Sequence, residues 1–111
     1  MDRSPIVLEA VKKYIAEISH SERGSILRDI DALCSNEAKN VHTRQLRGKI
    51  RELKVGPHRI TYFELGGILY FVNGFRKKSK KAPKREIEYA EHVYKLMRTY
   101  ENQKAESKDA D

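Results

Sequence analysis

The stretch RITYFELGGILYFV, from Arg59 to Val72, decides the fold of this chain. Its first half, RITYFEL, is rich in β-branched and aromatic residues, which favour β-strands. Its second half, ILYFV, is continuously apolar, as expected for a central strand that is covered on both faces. Gly66-Gly67 separates the halves, and such a pair is typical of a two-residue hairpin turn. The sequence therefore predicts two antiparallel strands, the second of which ends at Asn73-Gly74.

A third strand is predicted upstream of this hairpin. Leu46 to Val55 carries apolar residues between charged ones, and Gly56-Pro57-His58 punctuates the pattern as a turn does. His58 is expected to be exposed in that turn. Three consecutive strands joined by tight turns form an antiparallel meander. The preceding segment, Asn36 to Thr43, is polar and aperiodic and is predicted to be a loop.

Helices are predicted on both sides of the meander. Ser4-Pro5 favours a helix start, because serine caps well and proline loses nothing at the first helical position. Apolar residues then recur at helical spacing as far as Ile18. Ser19 to Glu22 fits a capping box and begins a second helix, so the two helices form a hairpin. Pro83 begins a third helix, whose apolar stripe reaches Tyr100.

The predicted fold class is α+β. An N-terminal helical hairpin packs on a small antiparallel sheet, which is at least a three-stranded meander, and a C-terminal helix follows. The length of 111 residues suits one domain with a modest core. We predict a single domain over residues 1–101. Residues 102–111 are polar with nothing to bury, and they are predicted to be a disordered tail.

Composition and charge limit the partners of this chain. The net charge of +7 favours acidic partners, namely nucleic acid, an anionic membrane surface or an acidic protein. No apolar run approaches the ~20 residues that span a membrane, and no secretory signal is visible. A single cysteine, Cys34, fits a reducing cytoplasm. The four histidines have no metal-ligand spacing, so neither a metal nor another cofactor is predicted.

The stretch FRKKSKKAPKR, from Phe75 to Arg85, holds seven basic residues between the last strand and the last helix. Such a run is often only a solvated face, but it can also bind a polyanion. Lys54 and Arg59 flank the turn at one end of the meander, and the third strand returns toward that end. Lys77 and Lys78 are therefore expected to converge on Lys54 and Arg59, and to form one electropositive site.

Such a site could bind RNA and cleave it by attack of a 2′-hydroxyl on the adjacent phosphate. Clustered cations stabilise the negative charge that develops. An ammonium group crowded by other cations gives up its proton more readily, so it can serve as base or acid without a metal. Tyr62, Tyr70 and Phe75 either stack bases or belong to the core. Arg59 either faces the phosphate or only pairs with a glutamate across the sheet, Glu52 or Glu64.

The passage from Arg51 to Met97 resembles the RelE/ParE toxin superfamily. More closely it resembles the HigB-type, phage-derived toxins of bacterial type II toxin–antitoxin modules. The signature F-x-K-K, then K-x-P, then E-I-x-x-A is carried by Phe75, Lys77, Lys78, Lys81, Pro83, Glu86, Ile87 and Ala90. The segments REL and RITYF match the hairpin that precedes this signature, and the resemblance covers roughly Ser4 to Tyr100.

This resemblance implies a small cytoplasmic toxin that cleaves mRNA, often on the translating ribosome, and that a cognate antitoxin holds inactive. It implies no metal. Arg59 takes the place of the family's strand arginine, Lys77 and Lys78 that of its basic pair, and Lys54 lies where the family often has arginine. These four residues are the predicted catalytic set. The predicted RNA-binding set is Lys80, Lys81, Lys84, Arg85 and Tyr62.

One departure from the family and two other functions stay open. Family members usually begin with a strand before the first helix, whereas only three residues precede Ser4 here, so we expect that strand to be missing or the start of the chain to be shortened. An open sheet edge would then pair with the antitoxin or with a second copy, giving a hetero-oligomer or a homodimer. The alternatives to the ribonuclease are a ParE-like toxin directed at gyrase and a catalytically inactive nucleic-acid-binding module.

Overall fold

The computed structural model describes the backbone of residues 2–109 and the side chains of residues 2–104. Five strands lie in one sheet of order β1-β5-β4-β3-β2 within these residues. The strands are β1 (Ser4–Val7), β2 (His42–Arg47), β3 (Ile50–Val55), β4 (His58–Leu65) and β5 (Ile68–Arg76). The helices are α1 (Glu9–Ala16), α2 (His20–Cys34) and α3 (Lys84–Asp109), with a short 3₁₀ turn at Ala38–Asn40.

The sheet separates two apolar cores, which confirms the predicted α+β class. The helical hairpin of α1 and α2 covers one face, where Val11, Ile26 and Phe71 are fully buried. Helix α3 packs on the other face, where Phe63 and Ala90 are fully buried. Among the described residues, no helix combines the length and the apolar character needed to cross a membrane.

The strand that we expected to be missing is present, and Ser4-Pro5 does not begin a helix. Ser4–Val7 forms β1, which pairs in parallel with β5, Ser4 lying opposite Ile68. Proline is tolerated because β1 is an edge strand. Helix α1 begins later, at Glu9. The edge of β5 is therefore covered, and the prediction of an open edge there is wrong.

The single strand predicted over Leu46 to Val55 is two strands. Gly48 has a positive φ of 55°, which only glycine adopts freely, and the chain reverses there between β2 and β3. The end of the segment predicted as a loop, from His42, belongs to β2. One glycine among charged residues is a weak turn signal, so the sequence pattern did not separate the strands. The predicted turn at Gly66-Gly67 is confirmed, with φ of 60° and 76°.

Strand β5 continues through Asn73-Gly74 and ends only at Arg76, so the predicted end of this strand is wrong. A bulge interrupts its pairing with β4: Thr61 lies opposite Asn73 and Tyr62 opposite Phe71, which leaves Val72 unpaired. A bulge shifts by one residue the face to which later side chains point. This shift directs side chains at the end of β5 toward α3.

Contacts on both sides of the bulge show this change of face. Tyr70 and Val72 pack in the core on the α3 side. After the bulge, Asn73 donates a hydrogen bond to Glu86 of α3, and Phe75 lies on the same face. Without the bulge, Phe75 would point toward the helical hairpin.

The boundaries of α2 and α3 follow local signals. Ser19 caps α2, its Oγ accepting a hydrogen bond from Glu22 N at 3.1 Å, which confirms the predicted start. Helix α3 continues past residue 101 as far as Asp109. The division between a domain over residues 1–101 and a tail over residues 102–111 stays a prediction, and residues 110–111 lie outside the described part.

Candidate functional site

One pocket gathers basic residues from β2, β3, β4 and the segment between β5 and α3. Its basic lining residues are Arg44, Lys54, Arg59, Lys77, Lys78, Lys80 and Lys81. Glu52 is the acidic residue of this lining, and Phe75 supplies an aromatic side. We refer to this surface as the basic pocket. It brings together the four predicted catalytic residues, which confirms their convergence, while their roles stay a prediction.

Strand register explains why these residues meet. Lys54 lies opposite Arg59 in the β3–β4 ladder, and Arg59 lies opposite Phe75 in the β4–β5 ladder. Paired residues in a sheet point to the same face, so the three side chains form a row across three strands. Lys77 follows β5 directly, and its backbone N donates to Pro57 O at 2.8 Å. The basic segment is thereby tied to the β3–β4 turn.

Arg59 is held by its own turn and is 9% exposed. Its Nη1 donates to Gly56 O at 2.6 Å and to His58 O at 2.9 Å. Its Nε lies 3.7 Å from Glu52 Oε1, so Glu52 is its partner across the sheet. Glu64, the other partner considered, pairs instead with Arg3 at 2.9 Å. Arg59 therefore both pairs with a glutamate and lines the pocket.

The sequence analysis considered Glu52 only as a partner of Arg59, and it placed neither Glu52 nor Arg44 in the pocket. Glu52 is 1% exposed, and its Oε1 lies 3.2 Å from Arg44 Nη2. This oxygen accepts no hydrogen bond from the described side chains or backbone. Glu52 and Lys54 are two residues apart in β3, and this spacing alone could have placed both side chains on one face of the sheet. Arg44, opposite Glu52, was missed because its strand was not recognised.

The predicted RNA-binding lysines and arginine divide into two pairs. Lys80 and Lys81 line the basic pocket. Lys84 and Arg85 lie in the first turn of α3, outside the pocket lining, with side chains that are more than four-fifths exposed, at 81% and 85%. Lys84 pairs with Glu88 at 3.6 Å along the helix.

Tyr62 is not brought to the pocket. It is 4% exposed in the core on the hairpin side, where its ring stacks on Phe71 at 5.4 Å. Its hydroxyl accepts a hydrogen bond from Arg51 Nε at 3.2 Å. Of the aromatic residues considered for base stacking, Tyr70 is also buried, and Phe75 lines the pocket.

His58 is buried rather than exposed, which corrects the expectation for its turn. It is 1% exposed, and its side chain points away from the pocket to the hairpin side. Its Nδ1 lies 2.6 Å from Tyr14 Oη of α1, and its Nε2 lies 3.2 Å from Glu22 Oε2 of α2. A turn residue is buried here because the two helices cover it.

A mixed sheet with a helical hairpin on one face and a helix and a basic pocket on the other is a RelE-like fold. The chain shares this fold with a chain in the crystal structure of the toxin–antitoxin complex RelBE2 from Mycobacterium tuberculosis. The TM-score is 0.58 at 10% identity, covering 69% of this chain and 100% of that chain. At this identity the likeness concerns the fold alone.

The family follows from the sequence itself. Residues 13–95 match the model of the phage-derived Gp49-like protein family (DUF891), so the chain belongs to that family. No curated protein sequence matches the chain significantly. Family and fold together confirm the resemblance to the phage-derived branch of the RelE-like superfamily.

Proposed function

We propose that this protein is the toxin of a bacterial type II toxin–antitoxin module and acts in the cytoplasm as a metal-independent mRNA endoribonuclease. The observation that carries this proposal is the basic pocket, in which seven cations surround one concave surface of a RelE-like fold. A pocket with this excess of positive charge fits a polyanion far better than it fits a neutral substrate.

The reaction is transesterification within the RNA chain. The 2′-oxygen attacks the adjacent phosphorus, the bond from phosphorus to the 5′-oxygen breaks, and a 2′,3′-cyclic phosphate and a 5′-hydroxyl result. Negative charge grows on the phosphate oxygens in the transition state, and pre-positioned donors stabilise it. Arg59 is such a donor, because two backbone carbonyls already fix its guanidinium. Lys77 and Lys78 stand beside it in the same lining.

The proton transfers are assigned to the lysines as a group. One ammonium group, after losing its proton, accepts the proton of the 2′-hydroxyl, and a protonated one donates to the 5′-oxygen. Lys54, Lys77 and Lys78 line the pocket and are the residues proposed for these two roles. Lys80, Lys81, Lys84 and Arg85 bind flanking phosphates of the mRNA or of ribosomal RNA.

The cognate antitoxin is proposed to cover apolar surface as well as the pocket. Tyr89, Leu96 and Tyr100 are 46%, 52% and 58% exposed. Their spacing of seven and four residues places them on one side of α3. An antitoxin with an apolar helix face and an acidic segment would fit this stripe and the basic pocket together.

The same stripe also favours a second candidate function. A ParE-like toxin acts on gyrase by protein contact, and exposed aromatic and aliphatic residues on the last helix would suit such a contact. The basic pocket has no evident role in that mechanism. The two functions therefore assign activity to different surfaces, which makes them separable by mutation.

Controlled expression in bacteria, followed by mapping of the 5′ ends of cellular RNA, tests both functions. We expect growth arrest with new 5′ ends inside mRNAs, and we expect both effects to disappear in Arg59→Ala. Removing one stabilising donor typically costs ~10²–10³ in rate. Arg28→Ala, which changes an exposed arginine of α2, is the matched control. DNA damage that survives Arg59→Ala would instead support the gyrase function, and no effect at all would support the inactive module.

A further inference from the structure

Three hydrogen-bonded polar side chains, which we call the polar triad, lie behind the basic pocket, on the opposite face of the sheet. The triad consists of Tyr14, His58 and Glu22, which belong to α1, β4 and α2. Both ring nitrogens of His58 are engaged, Nδ1 by Tyr14 Oη at 2.6 Å and Nε2 by Glu22 Oε2 at 3.2 Å. A fully buried histidine with two polar partners joins three elements at one point.

The polar triad fits against β5 because residue 74 is a glycine. A Cβ atom on Gly74 would lie 2.7 Å from Cδ2 and 2.8 Å from Cγ of Tyr14, which is closer than real Cβ contacts allow. Gly74 has no positive φ, so its backbone conformation does not require glycine. The absent side chain is what lets the Tyr14 ring lie across β5 and reach His58.

Tyr14 is a neutral phenol in the polar triad. Burial raises the pKa of the Tyr14 phenol, Glu22 adds to this effect, and Arg76 partly opposes it. The phenol therefore keeps its hydrogen. The tautomer of His58 sets the donors: when Nε2 carries the ring hydrogen, Tyr14 Oη donates to Nδ1 and Nε2 donates to the Glu22 carboxylate.

The turn that ends at His58 supports the basic pocket through its carbonyl groups. Gly56 O and His58 O accept from Arg59 Nη1 at 2.6 Å and 2.9 Å. Pro57 O accepts from Lys77 N at 2.8 Å. All three carbonyls of the turn therefore accept hydrogen bonds from the proposed catalytic set. On the other face of the sheet, the His58 side chain attaches the same turn to Tyr14 and Glu22.

We propose that Tyr14, His58 and Glu22 are positioning residues, which fix the turn at 56–58 and thereby the guanidinium of Arg59 and the backbone of Lys77. For its catalytic consequence, this inference rests on the proposed ribonuclease function. An apolar side chain at position 58 could fill the same space without the cost of burying polar groups. The polar triad in addition fixes the orientation of the turn that holds Arg59. Small displacements at a reacting centre can cost up to ~10² in rate.

Tyr14→Phe tests the proposal, because it removes one hydroxyl and keeps the ring. Two measurements are made: the ¹⁵N–¹H resonance of Arg59 Nε, assigned with Arg59→Lys, and the cleavage rate of a defined mRNA with ribosomes. We expect the Arg59 resonance to shift or broaden. We expect kcat to fall about 10-fold or more, with KM within about twofold, because ground-state binding of RNA is retained. Thr99→Val, which removes an exposed hydroxyl of α3 outside the proposed partner-binding stripe, should change neither measurement.

The two measurements separate this proposal from the proposed function. An unchanged Arg59 resonance in Tyr14→Phe overturns the positioning role, whatever the cleavage rate is. A changed resonance with an unchanged kcat overturns its catalytic consequence. If the unmodified protein cleaves no RNA, the ribonuclease function fails and the resonance alone decides the positioning role. Should Tyr14→Phe fail to fold, Glu22→Gln removes the negative charge of the polar triad and is measured in the same way.

Discussion

At the scale of single residues, the basic pocket depends on one buried carboxylate. Glu52 lies between two guanidinium groups, Arg44 at 3.2 Å and Arg59 at 3.7 Å. In a pocket lined by seven cations, this negative charge offsets part of their repulsion. The same charge is also an obstacle to a phosphate. We therefore expect Glu52 to stabilise the folded protein and, under the proposed function, to limit how tightly the pocket attracts RNA.

Replacing Glu52 tests the first of these two effects, the stability of the folded protein. We expect Glu52→Gln to lower the free energy of unfolding by about 1–3 kcal/mol, because Arg59 loses its buried charged partner. Chemical denaturation measures this change. Glu64→Gln is the matched control, since the Glu64 side chain is 49% exposed and pairs with Arg3. An exposed pair is worth less than about 1 kcal/mol. Equal effects of the two substitutions would contradict the role assigned to Glu52.

At the scale of elements, the first turn of α3 carries cations where its dipole disfavours them. Lys84 and Arg85 lie at the positive end of the helix, while Glu86 compensates in the same turn. They therefore contribute little to the stability of the helix. Their exposure next to the basic pocket is consistent with the proposed contact with phosphates that flank the reacting one.

The double substitution of Lys84 and Arg85 by glutamine tests this explanation. We expect weaker RNA binding, and a plot of log Kd against log salt whose slope is reduced by about 1.4, since ~0.7 counterions are released per contact with a single strand. The cleavage rate at saturating RNA should stay the same, because only ground-state binding is removed. Lys12→Gln with Lys13→Gln, two exposed lysines of α1, should leave the slope unchanged. A fall in the saturated rate would place this pair in the reacting site.

The edge strand β2 is fastened to α3 by the ion pair of Arg47 and Glu91. Arg47 Nη2 lies 2.6 Å from Glu91 Oε1, and this hydrogen bond is the main cause that lowers the pKa of Glu91 below its ordinary value of 4.5. A carboxyl with a lowered pKa in the folded state stabilises that state above its ordinary pKa. The contribution is lost as the pH falls through the lowered value.

Melting temperatures across the acid range check this sign. The unmodified protein should lose more stability than Glu91→Gln as the pH falls below 4.5, because glutamine has no proton to bind there. Above that pH the difference between the two proteins should be constant. Parallel curves over the whole range would show that the pair contributes nothing to folding.

At the scale of the whole molecule, the two faces of the sheet have different tasks. The hairpin face holds the larger core and the polar triad around His58, while the α3 face carries the basic pocket at one end. The bulge in β5 determines which face Phe75 belongs to, because it turns this side chain toward α3 and the basic pocket. The net charge of +7 favours acidic partners.

The proposed antitoxin complex provides a test at this scale. A cognate antitoxin co-purified with the chain should strongly reduce RNA binding, because it occupies the pocket or the surface beside it. Binding of a fluorescent RNA to the free chain and to the complex measures this effect at one salt concentration. A complex that binds and cleaves RNA as well as the free chain does would refute this part of the proposed function.

The sequence alone determined those features that depend on neighbouring residues. The turn at Gly66-Gly67 needs two glycines with positive φ, and the start of α2 needs a serine whose hydroxyl reaches Glu22 N. The basic segment after β5 was also evident, because charge is read directly from residue types. Its convergence with Lys54 and Arg59 followed from the meander, whose strands pair with their neighbours along the chain.

Only the tertiary structure decided the features whose partners lie far along the chain. Ser4–Val7 forms a strand because β5 offers hydrogen bonds more than sixty residues away, which outweighs the local preference of Ser-Pro for a helix start. The bulge at Val72 and the burial of Glu52 and His58 likewise arise from pairing and packing between distant elements. Backbone pairing and the burial of polar groups are properties of two surfaces in contact, so no local pattern in one of them could reveal the outcome.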